Sequence, residues 1–87
     1  MDLRLLRTFQ VAARHLNFNQ AAEALYLSQP TVSKHIKQLE NDLGCELFER
    51  SGRTLRLTPA GERFTVYAGR LLEQVDSTMQ EFTSWLA

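Results

Sequence analysis

Apolar residues recur along this chain at helical spacing, then at strand spacing, then at helical spacing again. Leu5, Leu6, Phe9, Ala12, Ala13 and Leu16 fall on one broad face and predict a first helix over residues 2–16. Asn17 can cap a second helix, with Gln20 three residues on. That helix, about 18–25, turns Phe18, Ala21, Ala22 and Leu25 inward, and its alanines let a crossing helix come close. Tyr26 and Leu27 form the turn; a tyrosine where glycine is common predicts a backbone that avoids positive φ. Ser28 caps a third helix, Pro30 fits its first turn, and Gly44 ends it in the left-handed conformation. Val32, Ile36, Leu39 and Leu43 form its buried stripe.

The other side of the third helix carries the candidate chemistry. Lys34 lies nearly opposite the apolar stripe with Pro30, Lys37 and Asn41, flanked by Thr31 and Ser33. A helix that opens with hydroxyl, amide and cationic side chains and is anchored from behind suits the major groove of DNA. Gln29 can bond a base edge bidentately, notably adenine, and Thr31 offers a methyl to thymine and a hydroxyl to a base or phosphate. Lys34 can reach guanine N7 and O6, and Pro30 can lie against a thymine methyl. Ser28 and Ser33 are short enough to meet phosphates. Against this, Ser28 and Pro30 also serve helix initiation, and a solvated face competes for Lys34 and Lys37.

Leu47–Arg50 and Thr54–Leu57 alternate like strands around Ser51-Gly52-Arg53 and predict a hairpin wing. Arg53 at its tip can enter a narrow minor groove, while Arg50, Ser51 and Thr58 are placed for phosphates. Arg56 faces away from the core with no assigned partner. The expected fold is mainly α, a winged helix-turn-helix: a three-helix core plus a two-stranded wing over 1–58, with the helix-turn-helix at about 18–37. Thr58 and Pro59 then open a long helix over 59–87. Its apolar set is Phe64, Ala68, Leu71, Leu72, Val75, Met79, Phe82, Trp85 and Leu86, a stripe of roughly 40 Å at 1.5 Å per residue. The core before it is too short to cover that stripe, so these residues are expected at a dimer interface.

Composition changes little of this. The 87 residues make one small domain, 44% hydrophobic and 23% charged, which is ordinary for a folded chain. The single cysteine, Cys45, is expected to be a small buried hydrophobe in a reducing cytoplasm. No apolar run is long enough for a bilayer, and the N-terminus lacks signal-peptide organisation. Net charge is zero, yet the distribution is uneven. Lys34 and Lys37 lie in an acid-free stretch from Ala24 to Leu39, and Arg50, Arg53 and Arg56 in another. Glu73, Asp76 and Glu81 make the end acidic. One cationic surface can therefore meet a phosphate backbone. One cysteine and two separated histidines, His15 and His35, give no metal cluster, and no nucleophile–base pair or glycine-rich phosphate loop is present; no enzyme activity or cofactor is expected.

Together these residues resemble the N-terminal domain of a LysR-type transcriptional regulator. The likeness runs through Leu3, Leu6 and Phe9, then Asn17-Phe18, Ala21-Ala22 and Leu25. It continues through Ser28-Gln29-Pro30, Val32-Ser33-Lys34, Ile36, Leu39-Glu40 and Leu43-Gly44, and on through Leu47–Arg50 and Leu57–Gly61. The resemblance implies a cytoplasmic bacterial protein whose linker helix pairs antiparallel with its twin, with a tetramer open to the full-length protein. It implies base contacts from Gln29, Pro30, Thr31, Ser33 and Lys34, and a minor-groove contact from Arg53. Thr31 stands where alanine or proline is frequent, and Lys34 where arginine is frequent, giving up the planar fork. The family also implies a small-molecule effector domain beyond Ala87, so the chain is expected to be a fragment without that site. The competing reading is a helical protein-interaction module, built on the apolar stripe of the last helix, in which DNA has no part.

Overall fold

The computed structural model describes residues 1–87 as α1 (Leu3–His15), α2 (Phe18–Leu25), α3 (Gln29–Leu43), β1 (Phe48–Ser51), β2 (Thr54–Leu57) and α4 (Pro59–Leu86). Each helix begins where a short polar side chain can take an orphan N–H. Asp2 accepts from Arg4 N at 2.9 Å, Asn17 from Gln20 N at 2.9 Å, Ser28 from Thr31 N at 3.2 Å and Thr58 from Gly61 N at 2.9 Å. The Arg4 guanidinium also binds the Asp2 carboxylate at 2.8 Å and holds its pKa below the usual aspartate value. β1 and β2 pair antiparallel, with Phe48 opposite Leu57 and Ser51 opposite Thr54. The expected strand 47–50 is thus displaced by one residue, Ser51 joins the ladder, and Gly52-Arg53 alone make the turn.

The core is one cluster. Leu5, Leu6, Phe9 and Ala12 of α1 meet Ala21 and Ala22 of α2, Val32, Ile36 and Leu39 of α3, and Leu47, Phe48 and Leu55 of the wing. Ala68 and Leu72 of α4 complete it. Phe9 is fully buried between the Phe48 ring at 5.6 Å and the Phe64 ring at 5.1 Å, so the wing and α4 both dock on α1. Gly61 lies where α4 passes the backbone of Leu47; any Cβ there would overlap the Leu47 carbonyl. No helix is long and apolar enough to cross a membrane.

Several expectations are corrected. Tyr26 does adopt positive φ, +56°, because the short turn needs a left-handed residue to let Leu27 N–H reach Ala22 O at 3.0 Å. Leu16 likewise caps α1 at φ +50° and is exposed rather than part of its buried face. Cys45 is exposed, placed just beyond the Gly44 cap instead of in the core. Ala68 and Leu72 are buried under α1 and Phe64 packs on Phe9, so these three face this chain's own core and not a partner. α4 therefore belongs to the folded core for its first half and leaves it only beyond Leu72. Its outer half gives the molecule a long axis of 52 Å against 25 and 19 Å.

Candidate nucleic-acid interface

α3 is held by its apolar stripe and shows its polar side outward. Val32, Ile36 and Leu39 are buried, whereas Pro30, Lys34 and Lys37 are exposed. Gln29 donates from Nε2 to Ser33 Oγ at 2.8 Å, which fixes the amide along the helix and leaves its oxygen as a free acceptor. The Ser28 and Thr31 hydroxyls bond each other at 2.8 Å, so both are oriented by helix capping, with lone pairs to spare. Lys34, Lys37, Arg50 and Arg53 have no carboxylate partner: the ion pairs of this chain are Arg4–Asp2, Arg7–Asp76 and Arg56–Glu49.

The wing and α3 are brought to one surface by two devices. Glu40, on the inner flank of α3, accepts Leu47 N–H at 2.7 Å and Phe48 N–H at 3.3 Å, so its carboxylate fastens the start of β1 to the recognition helix. Arg50 lies with its guanidinium 5.8 Å from the centre of the Phe18 ring, fixing the strand against the start of α2. Between them opens a cleft of about 130 Å³ lined by Asn17, Asn19, Gln29, Arg50 and Arg53. The first turn of α2, the first residue of α3 and the wing tip thus share one polar, cationic concavity. Backbone N–H groups of a helix start and two unpaired guanidinium groups suit an anionic oxygen.

Of the sequence-selected residues, Gln29, Arg50 and Arg53 line this cleft; Ser28 at the cap of α3, Pro30, Lys34 and Lys37 on α3 and Ser51 on the wing are exposed, and Thr31 and Ser33 partly so. Thr58 lies elsewhere. Its side chain is buried, donating to Glu46 O at 2.6 Å and accepting from Gly61 N, so it closes the wing onto α4 and is withdrawn from any phosphate. Arg56 is engaged by Glu49 across the ladder at 3.6 Å. Three features escaped the sequence. Asn19 joins the cleft, a placement signalled only by its position in the first turn of α2. Glu40 bridges α3 to the wing, which no local pattern reveals. His35 pairs its Nδ1 with the buried Thr8 hydroxyl at 2.8 Å, tying α3 to α1.

Comparison with known proteins fits this geometry. The HTH-type transcriptional regulator CitR of Bacillus subtilis is 51% identical over 81 residues, covering 93% of this chain and 28% of that protein. The regulator HdfR of Yersinia pestis is 54% identical over 72 residues, covering 83% of this chain and 25% of its own. The chain thus spans about a quarter of the length of these relatives. Among solved structures, the BenM DBD–catB site 1 DNA complex superposes with a TM-score of 0.94 at 37% identity, covering all of this chain and 98% of that one. Full-length CbnR complexed with its target DNA matches at 0.90 and 37% identity, over 97% of this chain and 29% of that one. Residues 3–62 match the family described as bacterial regulatory helix-turn-helix protein, lysR family, and the chain belongs to that family.

Proposed function

We propose that this chain is the sequence-specific DNA-binding part of a cytoplasmic bacterial transcriptional regulator, with residues 1–58 reading DNA and 59–87 serving as linker and dimerisation helix. α3 enters the major groove, where Gln29, Pro30, Thr31, Ser33 and Lys34 meet base edges, and Arg53 enters the minor groove. Ser28, Lys37, Arg50 and Ser51 hold phosphates. The observation that carries this reading is the cleft in which Gln29 of α3 meets Arg50 and Arg53 of the wing, beside an outer face of α3 on which Lys34 and Lys37 are exposed, none of these four cations being paired with a carboxylate. The CitR and HdfR likeness and the DNA in the BenM and CbnR structures support it. Two such chains joined through α4 would read two half-sites one or more helical turns apart, about 34 Å per turn. The effector and any tetramer contacts would belong to the remaining length of the protein.

Titration of duplex DNA selected from a random pool, against scrambled duplex, tests the proposal. Lys34→Ala should cost about 1–3 kcal/mol on the selected site and relax its base preference, whereas Arg50→Ala should weaken all sequences and lower the salt slope by about 1. Equal losses for Lys34→Ala on selected and scrambled DNA would reduce Lys34 to a phosphate contact. Selection that enriches no sequence would favour the protein-interaction reading, which the exposed outer half of α4 supports.

A further inference from the structure

The wing divides its two strand arginines between opposite faces. Side chains alternate along a strand, so Phe48 and Arg50 share one face of the ladder with Leu57 and Leu55 opposite them. Glu49 and Arg56 share the other face, where they pair at 3.6 Å. Phe48 and Leu55 are buried and Leu57 packs against the core, so Arg50 is the one charged side chain on the inward face. It reaches solvent across Phe18, its guanidinium 5.8 Å from the ring centre. That ring is itself held. Phe18 opens α2 directly after the Asn17 cap, is half-buried, and meets the Phe48 ring edge to face at 5.3 Å. Phe48 rests on Phe9 at 5.6 Å, and Phe9 on Phe64 of α4 at 5.1 Å. Four of the five phenylalanines of the chain therefore form one connected run that ends beneath Arg50.

We infer that Phe18 is a positioning residue for DNA binding: its ring holds the Arg50 guanidinium at the cleft shared with Asn19, Gln29 and Arg53, ready for a phosphate oxygen. The inference rests on the reading that Arg50 meets a phosphate, and adds what sets it there. A carboxylate would hold an arginine as firmly, but it would cancel the charge and occupy the donors, as Glu49 does for Arg56. An aromatic face attracts the cation through its quadrupole and leaves both the charge and the N–H groups at the guanidinium edge available. Arg50 accordingly makes no ion pair. A long side chain with many rotamers loses freedom when it is immobilised on a partner, and that loss lowers affinity. Resting on a ring that the core already fixes, Arg50 meets part of the loss on folding instead of on binding. Phosphates carry no sequence information, so the gain falls on every duplex alike. Arg53 lies in the same cleft with no ring beneath it, and so provides the contrast.

Anisotropy titrations of the 87-residue chain on selected and scrambled duplexes, with circular dichroism to verify folding, test the role. Phe18→Leu keeps an apolar side chain against the core and removes the ring. It should weaken binding about three- to tenfold on both duplexes, whereas Phe18→Tyr, which keeps the ring, should stay within about twofold of the parent. In an Arg50→Ala background Phe18→Leu should cost less than about twofold more, and in an Arg53→Ala background its full factor. In the free chain, the Arg50 side-chain proton resonances should lie upfield through the Phe18 ring current, return to ordinary positions in Phe18→Leu and remain shifted in Phe18→Tyr. Equal factors for Phe18→Leu with and without Arg50, or unshifted Arg50 resonances in the parent, would overturn the positioning role and leave the phosphate contact of Arg50 standing. An Arg50→Ala chain that binds as the parent does would overturn that contact and the positioning together, while the parent still reads DNA. A parent that binds no duplex would overturn the DNA reading and this inference with it.

Discussion

Replacing Gly61 with alanine sets two forces of known sign against each other inside one helix. In an exposed helix interior the change stabilises by about 1 kcal/mol, since alanine loses less backbone freedom on folding. Here the new methyl would overlap the Leu47 carbonyl oxygen and lie 3.0 Å from both Leu47 C and Leu57 Cδ2. Two of those three atoms are backbone and cannot rotate aside, so α4 itself must retreat. Overpacking of this kind costs about 1–3 kcal/mol. Retreat also strains the Thr58 hydroxyl bonds to Glu46 O and Gly61 N and the Thr58 N bond to Leu47 O at 3.0 Å, each worth about 1 kcal/mol. The net expectation is a loss of about 2–3 kcal/mol, or roughly 10–20 °C in Tm for a domain of this size. Gly69→Ala is the matched control: its added methyl meets nothing within 4 Å, so the same substitution should raise Tm by a few degrees. Thermal melts by circular dichroism at one fixed protein concentration compare the two. A Gly61→Ala chain that melts at or above the parent would refute the close approach of α4 to Leu47.

Other outcomes follow from single contacts. Glu40→Ala strands the buried Leu47 N–H and should cost about 2–3 kcal/mol in urea unfolding, with Glu40→Gln losing about half as much because an acceptor remains. Tyr26→Gly relieves a left-handed residue whose side chain is 96% exposed, and should raise stability by about 0.5–1 kcal/mol; an unchanged urea midpoint would mean the tyrosine bears no strain. Asp2 has a pKa lowered in the folded chain by Arg4, so its stabilising effect is present above the ordinary aspartate pKa and fades as pH falls through the lowered value. Asp2→Asn, which keeps a capping oxygen but not the charge, should therefore be slightly less stable than the parent at neutral pH, with the difference vanishing as pH falls through the lowered Asp2 pKa.

What could be read from the chain was whatever chemistry acts locally. Asn17, Ser28, Gly44 and Thr58 mark helix ends because a cap needs only its own few residues, and all four stand where expected. Outward placement of Lys34 follows from the inward stripe of the same helix. The errors come from contacts between distant segments. In α4 one apolar rhythm serves two surfaces in succession, the core as far as Leu72 and the open seam beyond, and nothing in the spacing says where one gives way to the other. Thr58 looked like a phosphate ligand because its hydroxyl partner, Glu46 O, arrives from across the wing. Tyr26 misled because residue preference at a left-handed position is weaker than the demand of a short turn. His35, Thr8 and Glu40 gain meaning only once α1, α3 and β1 are side by side.

The carboxylate of Glu40 has a consequence for the nucleic acid. With two main-chain amides held by one side chain, the base of the hairpin is tied to the helix, and changing the width between them costs those bonds. Part of any mismatch between that width and ordinary B-form geometry then falls to the DNA, as bending or groove narrowing. Operators should accordingly be distinguished by flexible steps at base pairs that no side chain touches.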